Sequence, residues 1–174
     1  MIVKKTVGSN LVRKLAILAV LVAAILLQSS LFPFWMWMGV KPDLVTVIVI
    51  IVGLVYGLVP GSTIGFFGGL LLDYSLGRLI GAGAVSKMLV GGLAGWVSPR
   101  IFGDRMIVPP LAVLVGSWLE QTLYMLIANA FGSSLPLAKG FWMIVLPLGL
   151  FNVVFSFPIY YAFTALKKAP REGG

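Results

Sequence analysis

The segment from Gly53 to Gly81, GLVYGLVPGSTIGFFGGLLLDYSLGRLIG, has a glycine or an acid at every fourth position. The series is Gly53, Gly57, Gly61, Gly65, Gly69, Asp73, Gly77 and Gly81. Residues four apart share a face of an α-helix, and small residues on that face let helix backbones approach closely in lipid. The spacing therefore predicts a packing surface, either for another helix of this chain or for a helix of another protein. The acid Asp73 is expected to face protein, because an acid within apolar sequence is costly in lipid.

The composition favours an integral membrane protein. Of 174 residues, 60% are hydrophobic and 10% charged, and the mean hydropathy is +1.07. We expect one all-α transmembrane domain over residues 1–174. The net charge of +8 is explained by basic residues at helix ends, so nucleic acid is not an expected partner, whereas membrane lipid is.

Several chemical classes are disfavoured by missing residues and motifs. Cysteine and histidine are absent, which excludes disulfides, thiolate metal sites and the usual general base. The sequence has no Walker A loop, no zincin motif, no dinucleotide fingerprint and no nucleophile elbow. We therefore expect a protein that is not an enzyme and that needs no metal or cofactor.

Six apolar segments predict six transmembrane helices. A span needs about 20 apolar residues. The uncharged stretch between Asp43 and Asp73 would be about 43 Å long as one helix, well beyond a ~30 Å hydrocarbon core, so we divide it at the turn signal Pro60-Gly61. The predicted spans are about 11–32, 44–59, 62–76, 82–98, 107–131 and 141–166.

The distribution of Lys and Arg supports this count and predicts the orientation. Six spans place nine basic residues on the cytoplasmic side and three outside, whereas five spans place six on each side. Both termini are therefore expected in the cytoplasm. The first apolar run is expected to remain as a span, because no signal-peptidase-like small-residue site follows it.

Charged and amide residues near or within the spans are candidate functional residues. Pro42 and Asp43 are suited to the N-terminus of the second span. Asp73 is either a helix-terminal acid that reaches water or pairs locally, or a buried acid that binds a partner protein, a cation or a proton. Lys87 is its expected partner, because it lies one turn into the fourth span on the same side of the membrane and so at a similar depth. A further group either lines a small polar pocket or forms hydrogen bonds between helices: Glu120, Gln121 and Asn152.

A family resemblance rests on residues 41–81. The elements are Pro42-Asp43-Leu44, a short apolar span, Gly61-x-x-x-Gly65-x-x-x-Gly69, Leu70-Leu71-Leu72-Asp73, and Gly77. Together with the length, the six predicted spans and the basic N-terminus, this pattern resembles the bacterial rod shape-determining MreD family.

The resemblance implies a non-enzymatic scaffold in the bacterial inner membrane. Members of that family bind the transmembrane region of MreC. They act in the elongasome with MreB, RodZ, RodA and a class B penicillin-binding transpeptidase, which together direct lateral peptidoglycan synthesis and rod shape. For this chain the resemblance implies structural roles for the small residues and Asp73, and either the glycine face or an apolar face with Phe66, Phe67 and Leu70 would receive MreC.

A transporter subunit is the alternative. The MreD family is similar in fold to the substrate-binding S-components of energy-coupling-factor transporters. That alternative predicts an outward-facing polar pocket, for which Glu120, Gln121, Asn129 and Asn152 are the available residues.

Overall fold

A computed structural model of the chain describes the backbone of residues 2–30, 40–101 and 107–168. Side chains are described within residues 15–30, 40–97, 107–137 and 139–168. The predicted end of the first span, at residues 31–32, lies outside these ranges. The described part is all-helical, and its elements are α1 (Ile2–Ser30), α2 (Leu44–Tyr56), α3 (Leu58–Ser75), α4 (Ala82–Ile101), α5 (Val108–Ala130), α6 (Leu137–Gly140), a π-helical turn (Phe141–Val145) and α7 (Leu146–Lys168).

The long uncharged stretch is divided into two helices, but not at the predicted residue. The break is at Gly57, whose φ of 102° ends α2 and starts α3. Pro60 is the third residue of α3, where a backbone N–H would have no acceptor within the helix, so proline is tolerated there. The prediction of a turn at Pro60-Gly61 is therefore wrong by about one helical turn.

Helix α2 is the centre of the bundle. Its sequence is apolar on every side, and 11 of its 13 residues are buried. A helix without a polar face is expected to be enclosed by others, and α2 packs against α1, α3, α4, α5 and α7. At its C-terminal end, Lys167 Nζ donates a hydrogen bond of 2.6 Å to the carbonyl of Val55. A lysine there compensates both an unpaired carbonyl and the negative end of the helix dipole.

The glycines of α3 pack against α4 in the same chain. A Cβ atom at Gly61 would overlap the carbonyl oxygen of Gly91, and one at Gly65 would lie 2.7 Å from the carbonyl carbon of Lys87. A Cβ at Gly69 would lie 2.6 Å from Cα of Ala84. Packing within the protein, one of the two predicted alternatives, is thus confirmed for these three glycines.

The predicted series does not continue as one helix face. Helix α3 ends at Ser75, and Gly77 and Gly81 follow it in turns with φ angles of 60° and 100°. Gly57 lies in the break before α3. The glycines of the regular series therefore have two different structural roles. Some allow close packing of helices, and others adopt left-handed conformations in the turns between helices.

Large apolar side chains cover much of the outer surface. Val59, Trp142 and Val154 are examples from separate helical segments, each at least 65% exposed. Within the described residues, two helical segments are long and apolar enough to cross a membrane, Val108–Ala130 and Phe141–Lys168. The apolar segments Leu15–Ser30, Leu44–Tyr56 and Ala82–Val97 are shorter.

Candidate functional site: a buried polar cluster

Lys87 of α4 lies between two acids in the interior of the bundle. Its Nζ is 2.9 Å from Oδ2 of Asp43, which precedes α2, and 2.6 Å from Oε1 of Glu120 in α5. The side chains of Lys87 and Glu120 are only 3% and 1% exposed. Because charged groups are costly in an apolar interior unless they are paired, these contacts fix three elements relative to one another.

The expected pair between Asp73 and Lys87 is therefore wrong. Lys87 binds Asp43 and Glu120 instead. The sequence predicts similar depths for Asp73 and Lys87, but a shared depth does not determine which helix faces meet. The buried face of α4 that carries Lys87 points toward α5 and the start of α2.

Asp43 is the N-cap of α2. Its Oδ1 accepts a hydrogen bond of 3.0 Å from the backbone N–H of Thr46, as expected for an acid at a helix N-terminus. The residue before it, Pro42, is buried. The predicted capping role of Asp43 is confirmed, and the same carboxylate also holds Lys87 through its other oxygen.

Asn152 connects α7 to this cluster. Its Oδ1 accepts a hydrogen bond of 2.9 Å from the backbone N–H of Asp43. Its Nδ2 donates a hydrogen bond of 2.8 Å to Ser117 Oγ in α5. Asn152 and Ser117 are both fully buried. The amide thus satisfies the free N–H at the start of α2 and ties α7 to α5.

The predicted polar residues of the fifth and sixth spans separate into two groups. Glu120 and Asn152 are brought together and make hydrogen bonds between helices, one of the two predicted alternatives. Gln121 is half-buried and lies outside these contacts. Asn129 closes the turn after α5 through hydrogen bonds of 2.9 and 2.8 Å with the backbone of Leu135.

Asp73 caps the neighbouring helix. Its Oδ2 accepts hydrogen bonds from the N–H groups of Gly81, Gly83 and Ala84 at 3.0, 2.9 and 3.3 Å. Gly83 and Ala84 belong to the first turn of α4, where N–H groups have no acceptor within the helix and the dipole favours an anion, and Gly81 directly precedes that turn. Of the predicted alternatives, the helix-terminal acid with local partners is confirmed.

Apolar grooves also lie in the described part of the chain. One of them, about 340 Å³, lies between α4 and α5 and against α2. Its lining includes Ile50, Leu54, Val90, Leu93, Leu111 and Val115. Another, about 280 Å³, is lined by apolar residues and Thr122 near the start of the π-helical turn. Neither groove reaches the buried polar cluster.

The predicted apolar face of α3 is only partly exposed. Phe67 is exposed, whereas Phe66 and Leu70 are half-buried. The rings of Phe66 and Phe67 contact each other edge to face, with centroids 5.4 Å apart.

Sequence reasoning missed the partners of Lys87 and the contribution of Ser117. A signal for the first existed: Lys87 and Glu120 are opposite charges within predicted spans, and such charges usually pair. Ser117 carried no comparable signal, since a serine within a span commonly binds a carbonyl of its own helix.

The contacts of the cluster hold α2, α4, α5 and α7 together. Within the residues described, no group of three or more His, Cys, Asp or Glu side chains could hold a metal ion. Comparison of the chain with protein-family models, curated proteins and solved structures gave no match.

Proposed function

We propose that this chain is a six-span scaffold of the bacterial inner membrane that binds the transmembrane segment of a partner protein. Following the resemblance to the MreD family, the partner is MreC and the assembly is the elongasome, which supports lateral peptidoglycan synthesis. Both termini are cytoplasmic in this proposal, and the chain itself catalyses no reaction.

The apolar exterior and the polar interior support membrane insertion. Soluble proteins rarely expose extended apolar surface, whereas a lipid-facing surface is expected to be apolar. Here outward residues of several helices are large and apolar, while Lys87, Glu120 and Asn152 are buried. Six spans with both termini in the cytoplasm place nine basic residues on the cytoplasmic side and three outside, and this bias supports the proposed orientation.

The buried polar cluster explains how a short helix serves as a span. Helix α2 has 13 residues and is about 20 Å long, compared with a hydrocarbon core of ~30 Å. Its N-terminal end would therefore lie below the membrane surface. There Lys87 pairs with Asp43, and Asn152 accepts a hydrogen bond from the Asp43 N–H, so the polar groups at this end of α2 are satisfied within the protein.

The groove between α4 and α5 is the observation that carries the proposal of helix docking. It is apolar throughout, and its rim residues Leu111 and Val115 on α5 point outward at 58% and 53% exposure. Helix association in lipid depends on close packing, and an apolar groove accommodates the large side chains of a partner helix. We place the MreC segment in this groove. The glycine face is occupied by α4.

The transporter alternative is less well supported by the geometry. Specific recognition of a small molecule needs several polar groups that converge on a cavity. Glu120 and Asn152 instead bind groups of this chain, and the two described grooves are apolar.

Co-purification with MreC of the same organism tests the proposal. The chain is tagged, co-expressed and extracted in mild detergent, followed by sizing and mass spectrometry. The docking face is tested by the double variant Leu111→Ala, Val115→Ala. The matched control is Leu150→Ala, Val154→Ala, which has the same residue types and spacing on the exposed face of α7.

We expect the groove variant to lose MreC and the α7 variant to keep it, with both monodisperse. Retention by both variants would exclude this groove as the docking site. Failure of the folded parent chain to retain MreC would contradict the scaffold proposal itself.

A further inference from the structure

The two acids that bind Lys87 are not equivalent. Both oxygens of Asp43 accept hydrogen bonds, Oδ1 from the Thr46 N–H at 3.0 Å and Oδ2 from Lys87 at 2.9 Å. In Glu120, Oε1 accepts from Lys87 at 2.6 Å and, at 3.5 Å, from Ser86. The other oxygen of Glu120, Oε2, is fully buried and has no hydrogen-bond partner among the residues that the structure describes.

The charges in the cluster do not balance. With every group ionised, the cluster holds one positive and two negative charges, Lys87 against Asp43 and Glu120. An uncompensated charge away from water is far more costly than a neutral polar group, so the interior disfavours the second anion.

Apart from Lys87, no cation among the described side chains lies at contact distance from Glu120. Arg78, in the turn between α3 and α4, acts on it at longer range, and its guanidinium lies 5.6 Å from the ring centroid of Tyr124. Helix α7 contributes the neutral amide of Asn152, and Tyr124 lies one turn along α5 from Glu120.

We propose that Glu120 is a buried proton-binding site, with the proton on Oε2, so that a neutral carboxylic acid lies beside the Lys87–Asp43 ion pair. One proton per chain restores charge balance. The proton also removes the negative charge from Glu120 Oε2, the carboxyl oxygen of the cluster that accepts no hydrogen bond from a described residue. Asp43 remains the ionised partner of Lys87. This inference does not depend on the identity of the docking partner.

Infrared spectroscopy tests the assignment directly. A protonated carboxyl group has a C=O stretch above the amide I band that shifts in D2O, and the chain has only five Asp and Glu residues to assign. The spectrum of the parent protein in lipid vesicles at neutral pH is compared with that of Glu120→Gln. We expect a carboxylic acid band in the parent that is absent from the variant.

A pair of variants tests the asymmetry independently. Gln has the shape and charge of a protonated Glu, so Glu120→Gln is expected to keep the melting temperature of the parent. Asp43→Asn removes the ionised partner and is expected to lower it strongly. The spectrum of the parent decides the proposal even where Asp43→Asn does not fold.

Either of two results would overturn the proposal. One is the absence of a carboxylic acid band assignable to Glu120, and the other is a loss of stability in Glu120→Gln equal to that in Asp43→Asn. If the band is missing and the melting temperature rises with sodium but not with choline at equal ionic strength, the site is assigned to a sodium ion instead.

Discussion

Replacing Lys87 by Met is expected to destabilise the bundle severely. Met is unbranched and similar in length, so the variant removes the ammonium and keeps most of the packing. Asp43 then loses its ion-pair partner at 2.9 Å and Glu120 loses its donor at 2.6 Å, both in the interior. The perturbation therefore isolates the charge in the cluster.

The expected loss is about 3–5 kcal/mol, the usual result of removing one partner from a buried ion pair. The free energy of unfolding of a protein is commonly about 5–15 kcal/mol, so this loss is a large part of the total stability. If Glu120 is neutral, most of the loss comes from the unpaired Asp43 carboxylate. The double variant Asp43→Asn, Lys87→Met is then expected to recover much of the stability, because neutral replacement of a whole buried pair is often tolerated.

Equilibrium unfolding in detergent, followed by tryptophan fluorescence, measures these differences. Lys139→Met is the control, because Lys139 is exposed and its loss is expected to change stability by no more than about 0.5 kcal/mol. A change in Lys87→Met as small as that in the control would refute the reasoning. If the double variant is no more stable than Lys87→Met, the loss of the ion pair with Asp43 is not the cause of the destabilisation.

The same unfolding assay checks three further substitutions. Asp73→Ala leaves three N–H groups at the start of α4, one of them just before the helix, without their acceptor and is expected to cost about 1–3 kcal/mol. Asp73→Asn keeps an oxygen acceptor and is expected to cost less, so equal losses would contradict the capping role. Gly65→Ala is expected to cost about 1–3 kcal/mol, because the added Cβ would meet the backbone of α4. In Gly68→Ala the added Cβ would meet only side chains, so the variant is expected to be near neutral. Similar stability losses in the two variants would argue against close contact of the α3 and α4 backbones. Asn152→Leu keeps the number and branching of the side-chain heavy atoms but removes the acceptor of the Asp43 N–H and the amide donor to Ser117, at an expected cost of about 1–3 kcal/mol. Unchanged stability would show that this link is dispensable.

The helices were largely predictable, because long apolar runs bounded by charges and turn residues leave little freedom. The starts at Leu44 and Ala82 agree with the predicted spans. The break at Gly57 was missed because a proline-glycine pair is a stronger turn signal than a lone glycine, although proline is acceptable in the first turn of a helix. The early start of α1 at Ile2 was missed because membrane-span rules follow hydropathy and not helix continuation.

The cluster was less predictable than the helices. Sequence spacing places residues on a helix face, and this was enough for the glycines and the cap at Asp43. Which faces meet depends on the packing of several helices at once. Similar depth in the membrane therefore predicts Asp73 as the partner of Lys87, whereas the packing brings Lys87 to Asp43 and Glu120. The link through Asn152 joins residues 109 positions apart and has no local signal.

Site-specific crosslinking in membranes tests the docking proposal most directly. The chain has no cysteine, so a single cysteine carrying a photoreactive group can be placed at Leu111 in the groove or at Leu150 on α7. The account predicts a crosslink to MreC from position 111 and none from position 150. A crosslink to MreC from position 150 alone, or only to lipid from position 111 while MreC co-purifies, would contradict it.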